Sequence, residues 1–266
     1  MLHQRFLIVA LGLLLVGGPA ATAEDRGLAG SGIVLMHGKG GQPGGFIAGL
    51  ATALQSAGAL VITPTMPWRG SKGVPDSYEA TYEQALAQVT SAVDELRKRG
   101  AARIVVAGHS LGGNAAIGYA ARHGSGLAGV IALAPGHTPE RVRLTEVAAA
   151  VATARRMANK GQGNAMTAFP DFNQGTTFKV KATPAAYLSF FDPDGPAVIP
   201  RNTARMPAIP FLWVIGRGDP LFKLGRGYAF DKAAKHPKSR YLEIEAGHTD
   251  TPEAARAEVI AWLKSL

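Results

Sequence analysis

A serine framed by glycines is the first feature of the chain that suggests chemistry. Residues 108–112 read Gly-His-Ser-Leu-Gly, with Ser110 at the centre, and no other G-x-S-x-G occurs in the sequence. In a chain with 33 glycines the string alone is a weak signal. Its context is specific, because the string lies directly between an apolar run typical of a strand and a helix of small residues. We therefore expect Ser110 to be a nucleophile held on a sharp strand-to-helix turn.

A histidine is the simplest base for such a serine, and the chain contains seven. His248 follows an apolar run and precedes the last predicted helix, which places it at the same sheet edge as Ser110. His109 is interpreted as packing beside the turn. His123 and His236 have structural explanations, at a helix end and in a Lys-Pro-rich turn. His248 is the predicted base.

An acidic side chain must then hold the imidazole in the correct tautomer and stabilise its charged form. Asp219 follows an apolar run within the sequence Gly-Arg-Gly-Asp-Pro. The order along the chain is serine, aspartate, histidine, as expected for this motif. A turn-forming Asp-Pro is the alternative explanation of Asp219. The competing acids are Asp192, Asp194 and Asp250, of which Asp250 is too near His248 along the chain.

Two backbone N–H groups are expected to stabilise a negative oxygen beside the serine. The first belongs to Leu111, the residue after the nucleophile, and the second to the loop after the first strand. That loop, residues 37–41, reads His-Gly-Lys-Gly-Gly. We favour the N–H of Lys39, with Gly38 next. A phosphate-binding turn is the alternative, but no P-loop lysine-serine pair follows.

A metal site is a rival interpretation of the histidines. The candidates would be His37, His109, His137 and His248, but their spacings match no ligand motif. The chain has no cysteine, which excludes disulfides, thiolate chemistry and cysteine–zinc sites. No metal is therefore predicted.

Short apolar runs alternate with helical patterns along the chain, and these elements must position the candidate residues. Predicted strands lie at 33–36, 59–62, 103–107, 130–133, 210–215 and 241–244. Alternation with helices indicates parallel βαβ units, and continuous apolar runs indicate a sheet covered on both faces. The prediction is one α/β domain over residues 24–266, with a mostly parallel sheet of about six strands and helices on both faces.

The helix after the second strand is the best specified element. Apolar side chains recur at steps of three and four from Tyr78 to Leu96, which is one stripe on a helix. Asp76 is predicted to cap its first turn, with Glu79 reaching back, and Gly100 to follow its last turn.

Residues 137–206 break this alternation and are predicted to be a small cap-like insertion. A helix is predicted near 140–157, followed by a polar region that contains glycine and proline. Aromatic side chains in and around the insertion either line an acyl pocket or pack the insertion onto the sheet. They are Trp68, Tyr187, Phe190, Phe191 and Phe222.

The first 23 residues differ in composition from the rest. Arg5 precedes an apolar run at 6–16, and small residues end at Ala23. This order is typical of a cleaved secretory signal peptide. A membrane anchor is the alternative, but the run is short of the ~20 residues that a spanning helix needs. The mature chain is expected to be periplasmic or secreted, without stable membrane insertion.

The chain is basic, with a formal net charge of +9. The basic residues are scattered, and no recognition motif or basic-aromatic stripe accompanies them. Nucleic-acid binding is therefore not expected. Loose attraction to anionic surfaces fits the charge, and the sequence does not determine the oligomeric state.

Taken together, these motifs resemble the α/β-hydrolase superfamily, in particular exported bacterial serine hydrolases of the esterase or lipase type. The resemblance covers residues 32–266, including the loops at 37–41, 108–112, 216–220 and 246–249. It implies hydrolysis of an ester, thioester or amide bond in a small acyl substrate, through an acyl-enzyme on Ser110 and without a cofactor. Serine at the turn argues against the dehalogenase and epoxide-hydrolase branches.

The resemblance has one departure, before the first strand, and leaves one alternative function. Only about nine residues separate the predicted cleavage site from the first strand, so the antiparallel hairpin that often begins this fold is expected to be missing. The alternative function is a non-catalytic binding or interaction protein on the same fold. The complete serine, aspartate and histidine set favours the hydrolase.

Overall fold

Six strands form the central sheet of the computed structural model, which describes residues 27–142 and 145–266. The predicted signal peptide at 1–23 lies outside the described residues and remains a prediction. The strands of the described chain are β1 (Ser31–Met36), β2 (Leu60–Ile62), β3 (Gly70–Ser71), β4 (Val74–Pro75), β5 (Ser77–Tyr78), β6 (Arg103–His109), β7 (Gly129–Leu133), β8 (Thr167–Asn173), β9 (Thr176–Ala182), β10 (Phe211–Gly216) and β11 (Arg240–Ile244). The α-helices are α1 (Ala48–Ser56), α2 (Tyr82–Lys98), α3 (Leu111–His123), α4 (Thr145–Asn159), α5 (Pro184–Phe191), α6 (Ile199–Arg205), α7 (Thr251–Ala254) and α8 (Arg256–Lys264).

The central sheet has the order β2-β1-β6-β7-β10-β11, and every neighbouring pair is parallel. All residues of β1 are buried, as are those of β6 apart from its first. Continuous apolar runs in the sequence therefore correspond to strands that are covered on both faces. The predicted α/β fold, with about six mostly parallel strands, is confirmed.

Two apolar layers cover the faces of the sheet. One contains α2, α3 and the helices of residues 137–206, and the other contains α1 and α8. The parallel strands bring their carboxyl ends to one edge, which is where ligands bind in open α/β sheets. Within the described ranges, no helix is long and apolar enough to cross a membrane.

The start of α2 differs from the sequence prediction. The helix begins after Thr81, whose side chain accepts the Gln84 N–H at 3.2 Å while Gln84 Oε1 accepts the Thr81 N–H at 2.8 Å. The predicted cap at Asp76 was wrong, because β5, which includes Tyr78, pairs with β9 and so continues an extended backbone. The other end was predicted correctly, since Gly100 has a φ of +91° just past the helix.

Residues 137–206 contain more regular structure than the sequence suggested. The predicted helix corresponds to α4, and the polar region folds into an antiparallel hairpin of β8 and β9, followed by α5 and α6. The hairpin turns at Gln174 and Gly175, which have positive φ values of 47° and 85°. Such a two-residue turn matches the twist of the strands it joins. The predicted role of this insertion as a cap remains a prediction.

Candidate active site

Ser110 occupies the turn between β6 and α3 in a strained conformation. Its φ of 55° and ψ of −119° lie in a region that non-glycine residues rarely adopt. Two backbone hydrogen bonds hold it there, from Ser110 N–H to Leu133 O at 3.0 Å and from Gly136 N–H to Ser110 O at 3.1 Å. The strained conformation of Ser110 is thus held by the neighbouring strand β7 and by the loop that follows β7.

The glycines of the motif are required by close backbone contacts. A side chain at Gly108 would overlap the backbone of Gly112, and one at Gly112 would lie 2.5 Å from Met36 O. The strand-to-helix turn therefore closes only with glycine at both positions.

Three side chains form a hydrogen-bonded chain at this turn. His248 Nε2 lies 3.0 Å from Ser110 Oγ, and His248 Nδ1 lies 2.6 Å from Asp219 Oδ2. The carboxylate accepts the Nδ1 proton, which leaves Nε2 free to accept the serine proton. Asp219 is itself held by the Leu221 N–H, which donates to Oδ1 at 2.6 Å. The structure thus brings together the three residues that the sequence singled out.

The competing acids lie in other contacts. Asp192 pairs with Arg155 at 2.7 Å, and Asp194 pairs with Arg201 at 3.1 Å. Among the four candidate carboxylates of the described chain, Asp219 is the one in hydrogen-bond contact with His248.

His109 supports the loop that carries His248. Its Nε2 lies 2.8 Å from the backbone oxygen of His248, and their rings are 5.0 Å apart. Burial, and secondarily the neighbouring His248, lowers the pKa of His109 to about 4. His109 is therefore neutral near pH 7, and its Nε2–H donates to that oxygen. This agrees with its interpretation as a residue packed beside the turn.

The two backbone segments predicted to supply oxyanion donors both adjoin the serine. Leu111 is the first residue of α3, so its N–H has no partner within the helix. The loop at Gly38 and Lys39 runs against the turn, since a Cβ on Gly38 would lie 3.0 Å from Ser110 Cβ. Trp68 holds this loop, because its indole N–H donates to His37 O at 2.9 Å. The structure therefore places both predicted segments next to Ser110, and the roles of the Leu111, Lys39 and Gly38 N–H groups as oxyanion donors stay predictions.

Two cavities meet at Ser110, His248 and Lys39. The first, here the glycine-rich cavity, has a volume of about 690 Å³ and is lined by the loop at 37–45, β3, β4 and Thr249. The second, here the apolar cavity, has a volume of about 680 Å³. Its apolar walls are Leu111, Val142, Val147, Phe172, Phe191, Pro220 and Leu221. The hairpin turn at Gln174 lines both cavities.

Of the five aromatic residues predicted near the site, Phe191 lines the apolar cavity. Trp68, Tyr187 and Phe190 are fully buried in the core instead. Tyr187 donates its hydroxyl to Pro170 O at 2.8 Å and stacks on Phe191. For these three residues the structure agrees with packing of the insertion onto the sheet.

Phe222 lies outside the lining of both cavities. Its ring is 5.8 Å from the Arg217 guanidinium carbon. Sequence reasoning missed the cavity residues Val142, Val147 and Leu221. For Val147 a signal was available, namely the apolar stripe of the predicted helix near 140–157.

The histidines of the rival metal interpretation are engaged in other bonds. His37 Nε2 accepts the Met66 N–H at 3.0 Å, and His137 Nε2 bonds to Phe190 O at 2.7 Å. In the described part of the chain, no group of three or more histidine, aspartate or glutamate side chains is arranged to hold a metal ion.

Comparison with known families identifies the class of protein. Residues 33–262 match the model of the alpha/beta hydrolase family. The chain therefore belongs to this family, as its motifs suggested. No curated protein matches the chain significantly.

Solved structures with the same fold include several ester-cleaving enzymes. A monoacylglycerol lipase of Paleococcus ferrophilus superposes with a TM-score of 0.64 at 21% identity, over 88% of this chain and 94% of the lipase. A metagenome-derived lipolytic enzyme gives 0.63 at 18%, over 90% and 95%. A carboxyl esterase of Bacillus coagulans gives 0.58 at 16%, over 88% of each chain. At these identities the likeness establishes the fold.

Proposed function

We propose that this protein is a serine hydrolase that cleaves ester-type bonds through an acyl-enzyme on Ser110. The observation that carries the proposal is the hydrogen-bonded chain from Ser110 through His248 to Asp219, built on a strained turn. Lipases and esterases among the structures of the same fold add support.

Formation of the acyl-enzyme begins when His248 Nε2 takes the proton of Ser110 as Oγ attacks the substrate carbonyl carbon. The carbonyl electron pair moves onto oxygen, which accepts hydrogen bonds from the N–H groups of Leu111 and Lys39. Gly38 is the alternative second donor. Asp219 stabilises the charged imidazole. As the carbonyl re-forms, the bond to the leaving group breaks, and His248 donates its proton to the departing alcohol, thiol or amine.

Release of the product repeats these steps with water. His248 accepts a proton from a water molecule that attacks the acyl carbon. When the tetrahedral intermediate collapses, the proton passes to Ser110 Oγ and the carboxylic acid leaves. No cofactor takes part in the formation or the hydrolysis of the proposed acyl-enzyme.

The two cavities suggest where the two halves of the substrate lie. The apolar cavity, with Val147, Phe191 and Leu221 in its walls, suits an acyl chain, because burial of apolar surface favours binding there. The glycine-rich cavity offers Gln42, Ser71 and exposed backbone to a polar leaving group. The substrate class is therefore a small ester with a short to medium acyl chain.

The test is covalent labelling with a fluorophosphonate, which reacts with activated serines. Wild-type protein is expected to gain one adduct by intact mass, located on Ser110 by peptide mapping. Ser110→Ala is the control and is expected to gain none. An unlabelled, folded wild-type protein would favour the alternative function, a non-catalytic binding protein on this fold.

Narrowing the apolar cavity is expected to shift the preference for acyl length. Val147 on α4 lines this cavity, and Val147→Phe fills part of it. We expect kcat/KM for octanoyl esters to fall about tenfold or more relative to acetyl esters, because each lost apolar contact weakens binding of the longer chain. The measurement is a series of p-nitrophenyl esters. Val74→Phe in the wall of the other cavity is the matched control. An unchanged ratio in Val147→Phe would place the acyl chain elsewhere.

A further inference from the structure

A buried ion pair connects the predicted oxyanion loop to the insertion. Lys39 Nζ lies 2.7 Å from Asp171 Oδ1, and the two side chains are 5% and 0% exposed. Lys39 belongs to the loop after β1, whereas Asp171 lies on β8, 132 residues further along the chain. The loop and the hairpin are thus tied by opposite charges that water barely reaches.

Both members of the pair are fixed by further partners. Lys39 Nζ also donates to Phe172 O at 3.2 Å and lies 5.1 Å from the centre of the Phe191 ring. Asp171 accepts the Tyr78 hydroxyl at 3.2 Å and the Phe172 N–H at 2.6 Å. Because several directional bonds converge on each charge, the lysine side chain is held in one arrangement.

A second, indirect connection between the hairpin and the loop lies one residue further along the loop and runs through Gly73, between β3 and β4. Asn173 of β8 donates to Gly73 O at 2.9 Å. Gly73 in turn packs so tightly on Gly40 that a side chain at Gly40 would overlap the Gly73 backbone. The hairpin therefore restrains the loop at two successive residues, Lys39 directly and Gly40 through Gly73.

Stability alone does not account for this pair. Well-packed apolar residues often replace a buried ion pair with no loss of stability, because removing two charges from water is costly. Compared with apolar packing, the ion pair adds a defined orientation of the Lys39 side chain and of the loop that carries it. Here that orientation concerns Lys39, whose backbone N–H is the predicted second oxyanion donor.

We propose that Lys39 and Asp171 are positioning residues, which aim the Lys39 backbone N–H at the oxyanion and so make the rate of hydrolysis depend on the insertion hairpin. This inference rests on the proposed serine hydrolase function. The two charged groups bond to each other, to Phe172 and to Tyr78, and not to Ser110 or His248. The pair acts through the backbone of the loop, so its loss is expected to affect the transition state more than substrate binding.

The test compares wild type with the neutral double variant Lys39→Met/Asp171→Asn in the full-length protein. The asparagine oxygen still accepts the Phe172 N–H, its NH₂ group can donate to the Tyr78 hydroxyl oxygen, and no unpaired charge remains buried. We expect kcat to fall about 10- to 100-fold, which is at most the loss seen when an oxyanion donor is removed. KM is expected to change less than about threefold. Fluorophosphonate labelling should slow by the same factor as kcat.

The control is Arg155→Met/Asp192→Asn, which neutralises a solvent-accessible ion pair of the insertion and should keep wild-type kcat. Thermal unfolding is followed for every variant. Should the first double variant not fold, Tyr78→Phe weakens the hold on Asp171 alone, and kcat should fall at least about threefold with KM unchanged.

Wild-type kcat and labelling rate in a folded double variant, or in Tyr78→Phe if it is needed, would overturn the positioning role. A rise of KM with no change in kcat would also overturn the positioning role. Failure of wild type itself to react with the fluorophosphonate would instead overturn the proposed hydrolase function.

Discussion

Ser110→Ala is expected to reduce kcat for an activated ester by about 10⁶-fold, the size of effect seen when a catalytic serine is removed. The substitution deletes only Oγ, whose bond in the structure is to His248 Nε2 at 3.0 Å. The proposed oxyanion donors and the cavities are kept, so a small residual rate above water is expected. The backbone bonds to Leu133 and Gly136 are also kept, so the unfolding midpoint should change little.

The measurements are p-nitrophenyl butyrate hydrolysis and thermal unfolding followed by circular dichroism. Ser56→Ala, an exposed serine at the end of α1, is the matched control and should keep full activity. Turnover by Ser110→Ala near the wild-type rate would refute the assignment of the nucleophile.

Asp219→Asn is expected to reduce kcat by about 10⁴-fold. The asparagine oxygen can still accept the Leu221 N–H, which bonds to Oδ1 of the aspartate. Its amide N–H would then face His248 Nδ1, the atom that now lies 2.6 Å from Oδ2. That places the imidazole proton on Nε2, where it cannot accept the proton of Ser110.

The prediction is checked with the same ester and by the rate of fluorophosphonate labelling, both of which depend on the base. The matched control is Asp250→Asn, an exposed carboxyl close to His248 along the chain, which should retain activity. A strong loss in the control and none in Asp219→Asn would identify Asp250 as the orienting acid.

The parts of the fold that follow from local sequence were predicted well. The strand and helix on either side of Ser110 have continuous apolar and small residues, and the turn between them needs glycine at two fixed positions. Asp219 and His248 each follow an apolar strand of the same parallel sheet. In a parallel sheet the ends of such strands meet at one edge, so proximity followed from topology alone.

The start of α2 could not be predicted from periodicity. Tyr78 has the right spacing for the apolar stripe, but it belongs to a two-residue strand that pairs with β9. That pairing depends on a segment about a hundred residues further along the chain. Thr81 and Gln84 did carry a local signal for the true start, since they have the spacing of a capping box.

The aromatic residues show a different limit of prediction from sequence. Burial of Trp68 and Phe190 depends on contacts between separate elements, where their rings lie 6.2 Å apart. Large aromatics supply much of the apolar area of any core, so their type does not distinguish a pocket wall from packing. The partnership of Lys39 with Asp171 was invisible for the same reason, because no local pattern joins two residues so far apart in sequence.

The order of the strands has a consequence for how a newly made chain reaches this structure. β1 pairs with β6 along its whole length, Ser31 opposite Arg103, so the middle of the sheet cannot close until synthesis has passed β6. Such long-range parallel pairing is slow, because chain entropy is lost before the contacts form. Until then the apolar residues 33–36 are exposed to water and prone to aggregate. The strand that leads into the predicted oxyanion loop is thus also a segment for which chaperone protection would matter during synthesis.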